Sequence, residues 1–455
     1  MNIERSIYNK LLEWKKTTNG SKALMIEGAR RIGKSTIVKK FGEQAYKSYI
    51  LIDFANVSKR MTDNFLQNLT NLDIFYQTIS LEYGVRLYRR ESLIIFDEVQ
   101  KFPKAREAVK YLVADGRYDF IETGSLISIQ ENVSDITIPS EERKIKMYPC
   151  DFEEFAKARG EDILLEYIQK CWQEQKTLDV AVHNKAMRIF REYMLVGGMP
   201  QSIVAYIEND CDFSASDVEK RDILSLYQDD IKKSSRRYNS KVAALFDNIP
   251  GALSTHEKKI ELTQFDESGS ATFAKYDEPL FWLDDSMICN LCYKCNDPNV
   301  GFALNKNVSQ VKCYMGDTGL LVSLAFNENE LASNELYKNI MNGRLSLNEG
   351  MIYENAVAQM IRAKGKKLYF YNEYDRGKHR NSMEIDFLLS NESKTNFKVY
   401  PIEVKSSKNY STTSLTKFHQ KFSNKIGDSF IIHPKMFSID DDCIKIPPYM
   451  VWCAF

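Results

Sequence analysis

Eight residues near the N-terminus, Gly28-Ala29-Arg30-Arg31-Ile32-Gly33-Lys34-Ser35, follow the pattern G-x-x-x-x-G-K-[ST] at every fixed position. Their types suit one chemistry. The glycines let backbone N–H groups close around phosphate oxygens, and a helix starting just after them adds a positive dipole end. Lys34 can then reach the β- and γ-phosphates of a nucleotide, and the Ser35 hydroxyl can ligate Mg²⁺. The phosphate-binding stretch runs from Gly28 through Ala29, Arg30, Arg31, Ile32, Gly33, Lys34 and Ser35 to Thr36. An accidental glycine turn is the alternative, and the flanks oppose it. Ala23-Leu24-Met25-Ile26 reads as a buried strand before the loop, and Thr36 to Phe41 begins a helix after it.

A second constellation follows the apolar run Leu93-Ile94-Ile95-Phe96, which ends in Asp97-Glu98. At the C-terminal end of a buried strand, Asp97 can hold Mg²⁺ through its water shell. Glu98 is placed to orient or deprotonate an attacking water. Alone, the pair reads as an acidic turn, but beside a phosphate loop it reads as the other half of the site. Thr123-Gly124-Ser125 closes the next strand, where the Thr123 hydroxyl can sense a γ-phosphate, although such a pair is more often only a turn.

Near the C-terminus, Glu403 and Lys405 are separated by one residue on an expected strand, so their side chains share a face. Asp386 sits on another expected strand and Glu354 on the helix before it. This layout resembles the PD-(D/E)xK nuclease superfamily. Three carboxylates could hold Mg²⁺ or Mn²⁺, with Lys405 positioning or activating water. Glu384-Ile385 stands where that motif usually has Pro. The competing reading is a fold kept for binding, with a Glu–Lys ion pair on a surface strand. Residues 391–425 hold seven Lys and two Glu with Tyr400, Tyr410, Phe418 and Phe422 interleaved, a composition that suits a phosphate backbone or a solvated face.

The elements that must position these groups are legible in outline. Strand-like runs at Ala23–Ile26, Tyr49–Ile52, Leu93–Phe96 and Tyr118–Thr123 alternate with helical patterns, which predicts a parallel sheet covered on both faces. Helical periodicity then takes over at Phe155–Trp172, Lys185–Leu195 and Asp217–Ile231, with a sharp turn at Gly197-Gly198-Met199-Pro200. From Leu347 a helix over Glu349–Ala363 leads into strands at Leu368–Tyr371, Ile385–Leu389 and Val399–Val404. The expected fold class is α/β: a P-loop core over residues 1–150, a helical lid over 151–240, a winged-helix-like region over 241–330, and a nuclease-like α/β domain over 331–455.

Composition narrows the function classes. The 455 residues carry 62 Lys+Arg against 62 Asp+Glu, with 44% hydrophobic and 12% aromatic residues, so a disordered or fibrous chain is excluded. Zero net charge gives no global pull toward nucleic acid or membrane. No apolar run approaches the roughly 18 residues of a membrane span. Met1 to Lys16 is too charged for a signal peptide. Nine scattered cysteines fit a reduced, cytoplasmic protein. Cys289, Cys292 and Cys295 tempt a metal reading, but on a strand Cys292 points away from the other two and no fourth ligand is near.

Taken in order along nearly the whole chain, these motifs resemble the prokaryotic AAA+-type ATPases that carry a C-terminal domain of unknown function. The resemblance rests on Gly28–Ser35, Asp97-Glu98-Val99-Gln100, Thr123-Gly124-Ser125, and Pro149 with Asp151–Phe155. It extends through Glu192-Tyr193, Gly197–Pro200, Gly316–Leu321, Glu354-Asn355, Glu384–Phe387 and Ile402–Lys405. It implies ATP and Mg²⁺ as ligands and hydrolysis as the reaction. It also implies a winged-helix-like segment between Lys241 and Phe326; Lys232, Lys233, Arg236, Arg237 and Lys241, just upstream or at its start, could contact phosphates, and such a segment serves equally as a protein–protein module. Members usually show an Arg after a Gly shortly before Pro149. Here Arg143 lies in Glu141-Glu142-Arg143-Lys144 without that Gly, either as a transition-state cation from the same or a neighbouring subunit or as part of a solvated charge run. Two functions follow as expectations: ATP hydrolysis coupled to DNA binding and gating a nuclease-like domain, or an ATP-driven switch for protein partners with an inactive C-terminal domain.

Overall fold

A computed structural model describes residues 1, 3–124, 140–233, 238–255, 258, 276–327, 333–342, 348–375, 377, 380–390, 398–440 and 443–455. Ser125, Arg236 and Arg237, the 391–397 part of the lysine-rich stretch and Leu347 lie outside the described residues. The chain divides into two compact units: Arg5–Tyr148 with Asp285–Met287, and Met1–Glu4 with Pro149–Asp284 and Ile288–Phe455.

The N-terminal unit is built on a five-stranded sheet of β1 (Ala23–Glu27), β2 (Ser48–Asp53), β3 (Ser92–Asp97), β4 (Asp119–Gly124) and β5 (Glu142–Lys146), in the order β2-β3-β4-β1-β5. Every pairing is parallel. Strands β1, β3 and β4 are buried along their whole length, as expected of a sheet covered on both faces. Helices Lys59–Gln67, Leu72–Tyr83 and Pro103–Asp115 supply much of that cover. Phe54, Phe65, Phe75, Phe96 and Phe120 pack into one core with Ile52 and Ile94. The fifth strand carried no apolar signal, because Glu142-Arg143-Lys144-Ile145-Lys146 is an edge strand with one side in solvent, where charge is tolerated. The Glu142 side chain is nevertheless buried, and Arg106 donates to it from Nε and Nη2 at 3.1–3.2 Å.

In the C-terminal unit the helical stretch expected over Phe155–Trp172 is two helices, Phe152–Ala158 and Asp162–Gln173. They are separated at Gly160, whose φ of 75° suits glycine. Helices Val180–Val196, Pro200–Glu208 and Phe213–Lys233 follow, with Pro200 at the first helical position. Strands β6 (Cys289–Cys295), β7 (Lys306–Met315), β8 (Leu368–Asp375) and β9 (Arg380–Ile385) form one sheet in the order β7-β6-β8-β9. Strands β10 (Phe387–Ser390), β11 (Val399–Val404), β12 (Ser429–Ile432), β13 (Ser438–Asp440) and β14 (Cys443–Ile446) form another, ordered β10-β11-β12-β14-β13. Strands on either side of the division expected at residue 330 share a sheet, since β6 pairs in parallel with β8. Long-range pairing of this kind leaves no mark on local periodicity.

The turn Gly197-Gly198 sits in a buried knot. Gly198 N donates to Asp317 Oδ2 at 2.5 Å, and Cys150 N donates to Gly198 O at 2.7 Å. Gln359 Nε2 donates to Asp317 Oδ2 at 3.0 Å, while Gln359 Oε1 accepts from Thr318 N at 2.7 Å. A Cβ on Gly198 would lie 2.1 Å from Cys150 O, so no larger residue fits without backbone movement. Gln359 and Glu354 share the helix Glu349–Ala363, so the knot fixes the helix that carries one of the expected carboxylates.

Candidate functional site

The phosphate-loop residues occupy the turn between β1 and the helix Lys34–Ala45. Arg31 and Gly33 have φ of 66° and 89°, left-handed values that turn successive N–H groups toward one side, as an anion-binding nest requires. Gly28 is needed for space, because a Cβ there would lie 2.6 Å from Met147 O. The Lys34 ammonium donates to the carbonyls of Gly28 and Ala29 at 2.9 and 2.8 Å. Burial pulls its pKa down to about 8, against Glu98 and Asp97, which raise it. Ala29 and Ile32 are buried within the loop, and Thr36 follows Ser35 in the first helical turn.

Three side chains meet at the end of the sheet. Ser35 Oγ donates to Asp97 Oδ1 at 2.9 Å, and Thr123 Oγ1 donates to the same oxygen. The strand order explains the meeting. β4 lies between β1 and β3, so Thr123, level with Ile26 in the register, stands between the phosphate loop and Asp97. Glu98 follows at φ 53°, a left-handed backbone uncommon for a residue with a side chain. Gln100 Nε2 donates to Glu98 Oε2 at 2.5 Å, and Glu98 N donates to Thr123 Oγ1 at 3.4 Å. The chain thus offers a hydroxyl and a carboxylate oxygen side by side, a set of hard oxygen donors that fits Mg²⁺.

Arg143 is not brought to this cluster. It is level with Leu24 in the β1–β5 register, three residues before the Glu27–Lys146 pair that ends it. At about 3.3 Å per residue that is roughly 10 Å back from the loop end of the sheet. Its Nη1 donates to Thr17 Oγ1 at 3.4 Å, on the helix Ile7–Thr18. Arg5, by contrast, gave no signal in the sequence and lies against the loop. Its Nη1 donates to Ile32 O at 2.9 Å and its Nη2 to Tyr148 O at 2.6 Å. No motif marks such a residue, since its partners are backbone carbonyls far away in the chain.

The C-terminal carboxylates also come together, with a difference from the expectation. Asp386 is not within a strand but at the bend between β9 and β10, which belong to different sheets. Glu403 and Lys405 pair at 2.7 Å. Between Glu354 and Asp386 stands Lys312, whose Nζ is 3.3 Å from Glu354 Oε1 and 3.7 Å from Asp386 Oδ1. Burial pushes the Glu354 carboxyl up, but Lys258 and Lys312 outweigh it and hold it at about 2. Glu403 is pushed up to about 7 by burial, against Lys405. Among the described residues no group of three or more His, Cys, Asp or Glu side chains is arranged to hold a metal ion. Cys289, Cys292 and Cys295 lie on β6, free and buried.

The described lysines of the 391–425 stretch are largely engaged. Lys421 pairs with Glu373 at 2.8 Å and Lys425 with Asp297 at 2.7 Å. Lys398 and Lys417 donate to the carbonyls of Asn424 and Ser382. Upstream, Lys232 pairs with Asp229 at 3.1 Å, and Lys241 lies over the Tyr276 ring. Among the described residues no helix is long and apolar enough to cross a membrane.

Residues 20–156 match the model of a family described as an AAA domain. Residues 187–331 match a domain of unknown function (DUF8612), and residues 349–450 a domain of unknown function (DUF4143). No curated protein matches the chain. Among solved structures it is similar to the Aeropyrum pernix Orc1 protein in complex with DNA, at 9% identity over 72% of this chain and 94% of that one, TM-score 0.26. It is similar to the S. cerevisiae Hsp104–ADP complex at 12% identity over 80% of this chain and 44% of that one, TM-score 0.28. The third is the Signal Transduction ATPase with Numerous Domains protein PH0952 from Pyrococcus horikoshii, with a tetratricopeptide repeat sensor, at 11% identity over 80% of this chain and 46% of that one, TM-score 0.26. This chain spans less than half the length of the last two.

Proposed function

Because the chain carries an AAA+ P-loop ATPase domain, we propose that it binds and hydrolyses ATP with Mg²⁺ and uses the cycle as a switch acting on a protein partner. The observation that carries the ATPase reading is the convergence of Ser35, Thr123 and Asp97 on one carboxylate oxygen beside the Lys34 loop. Ser35 and Asp97 would hold Mg²⁺, which when bound neutralises charge on the β- and γ-phosphates. Lys34 exchanges the carbonyls of Gly28 and Ala29 for phosphate oxygens. The loop N–H groups from Gly28 to Thr36 close around the phosphates. Glu98, held by Gln100, orients the attacking water and takes its proton, and Thr123 reports the γ-phosphate to Asp97 and Glu98. Arg5 fixes the loop through Ile32 O.

Protein rather than DNA as the target is supported by Lys405, Lys421 and Lys425 of the lysine-rich stretch, which face carboxylates. Lysines already facing carboxylates release few counterions from a phosphate backbone. Steady-state ATP hydrolysis with Mg²⁺, with and without double-stranded DNA and with Lys34→Ala as control, tests the reading. Hydrolysis that is lost in the variant and indifferent to DNA is expected. Strong stimulation by DNA would replace the protein-directed switch with ATP hydrolysis coupled to DNA binding.

A further inference from the structure

The carboxylates of the C-terminal unit already surround a cation. Lys312 enters from β7 with its side chain 0% exposed, and its Nζ lies 3.0 Å from Glu384 Oε1. The distances to Glu354 Oε1 and Asp386 Oδ1 are 3.3 and 3.7 Å. The remaining oxygens of Glu354 and Asp386 are also taken. Lys258 pairs with Glu354 Oε2, Tyr314 donates to Glu354 Oε1, and Val404 N donates to Asp386 Oδ2 at 2.8 Å. A divalent ion would need those same oxygens at roughly 2.0–2.6 Å. It would have to enter against an ammonium whose side chain is fully buried.

We propose that Lys312 is the resident cation of this cluster, standing where a divalent metal would have to bind, so that the C-terminal domain takes no Mg²⁺ or Mn²⁺ there and cuts no phosphodiester bond. The proposal stands apart from the ATPase reading, because no group of the phosphate-loop site takes part in it. Its structural logic is charge compensation: buried carboxylates persist when paired, and the pair fails when one partner is removed.

The test is Mn²⁺ titration of the nucleotide-free full chain carrying Asp97→Asn, which removes the N-terminal metal ligand, with free ion followed by electron paramagnetic resonance. No ion bound below millimolar Mn²⁺ is expected, together with no nicking of supercoiled plasmid by the unmutated chain in Mg²⁺ or Mn²⁺. One ion bound at micromolar Mn²⁺ and lost on Asp386→Asn overturns the proposal, as does nicking lost in Lys405→Ala. Lys312→Met keeps an unbranched side chain, one heavy atom shorter, and removes its charge. A thermal midpoint lowered by several degrees and partly restored by millimolar Mn²⁺ is expected. A variant as stable as the parent, or a loss that Mn²⁺ leaves untouched, overturns the assignment of the ammonium to the metal position. If Lys312→Met does not fold, Lys312→Met with Glu354→Gln and Asp386→Asn removes the charges together and is expected to fold. Failure of that variant too would show that Lys312 acts otherwise than as a counter-ion.

Discussion

Ser35 donates its hydroxyl hydrogen to Asp97 across 2.9 Å, joining the first turn of a helix to the end of a strand 62 residues further along the chain. Ser35 lies on the helix that follows β1, and Asp97 ends β3. β4 separates β1 from β3, and Thr123 at the end of β4 donates to the same oxygen. Removing either hydroxyl leaves a buried acidic oxygen with one partner fewer.

Lys34→Ala is expected to abolish nucleotide binding, since it removes the cation that faces the phosphates. Titration with a fluorescent ATP analogue reads this directly. Retained affinity in the variant would overturn the site assignment.

Glu98→Gln should bind ATP as the parent does and turn over slowly. Loss of a positioned general base lowers turnover roughly 10²- to 10⁴-fold. Single-turnover hydrolysis separates that loss from binding, and unchanged turnover would remove Glu98 from the role of water-orienting residue.

Nucleotide binding should take up a proton above about pH 8. Burial lowers the Lys34 pKa to about 8 in the free protein. Phosphate oxygens favour the charged form, so the complex holds the ammonium to higher pH. Below about 8 the proton is already present and affinity is flat. As pH rises through that value affinity falls, by at most about tenfold per unit. Calorimetry in two buffers of different ionisation enthalpy counts the proton, and an uptake that is the same at pH 7 and pH 9 would contradict the shift.

Arg143→Ala is expected to leave hydrolysis by a dilute, isolated chain unchanged, because Arg143 bonds to Thr17 and not to the phosphate loop. A drop at low concentration would show that the side chain does reach the site in its own chain. A drop confined to high concentration would show a contribution to a neighbouring copy.

Gly198→Ala should destabilise the C-terminal unit. Its Cβ would lie 2.1 Å from Cys150 O and 2.8 Å from Cys150 N, both backbone atoms that cannot turn aside. Overpacking of this kind costs roughly 1–3 kcal/mol. Chemical denaturation measures it, and a midpoint equal to that of the parent would show that the knot relaxes freely.

What the sequence determined by itself was local. The strand, loop and helix around Gly28–Ser35, the carboxylates at the end of β3 and the helix Glu349–Ala363 are all written in periodicity and residue type. Those signals depend on φ, ψ and burial over a few residues, so one chain segment suffices to read them. Tertiary structure alone decided the strand order, and with it Thr123 as the bridge to Asp97. It also decided that a charged run is the edge strand β5, that Arg5 grips the loop, and that the Cys289–Cys295 strand shares a sheet with β8. Lys312 is the clearest case. On β7 it is one lysine among many, and it becomes a buried cation only because folding brings Glu354 to it from 42 residues away. Pairing between distant segments is set by packing and crossover connections, which local sequence does not record.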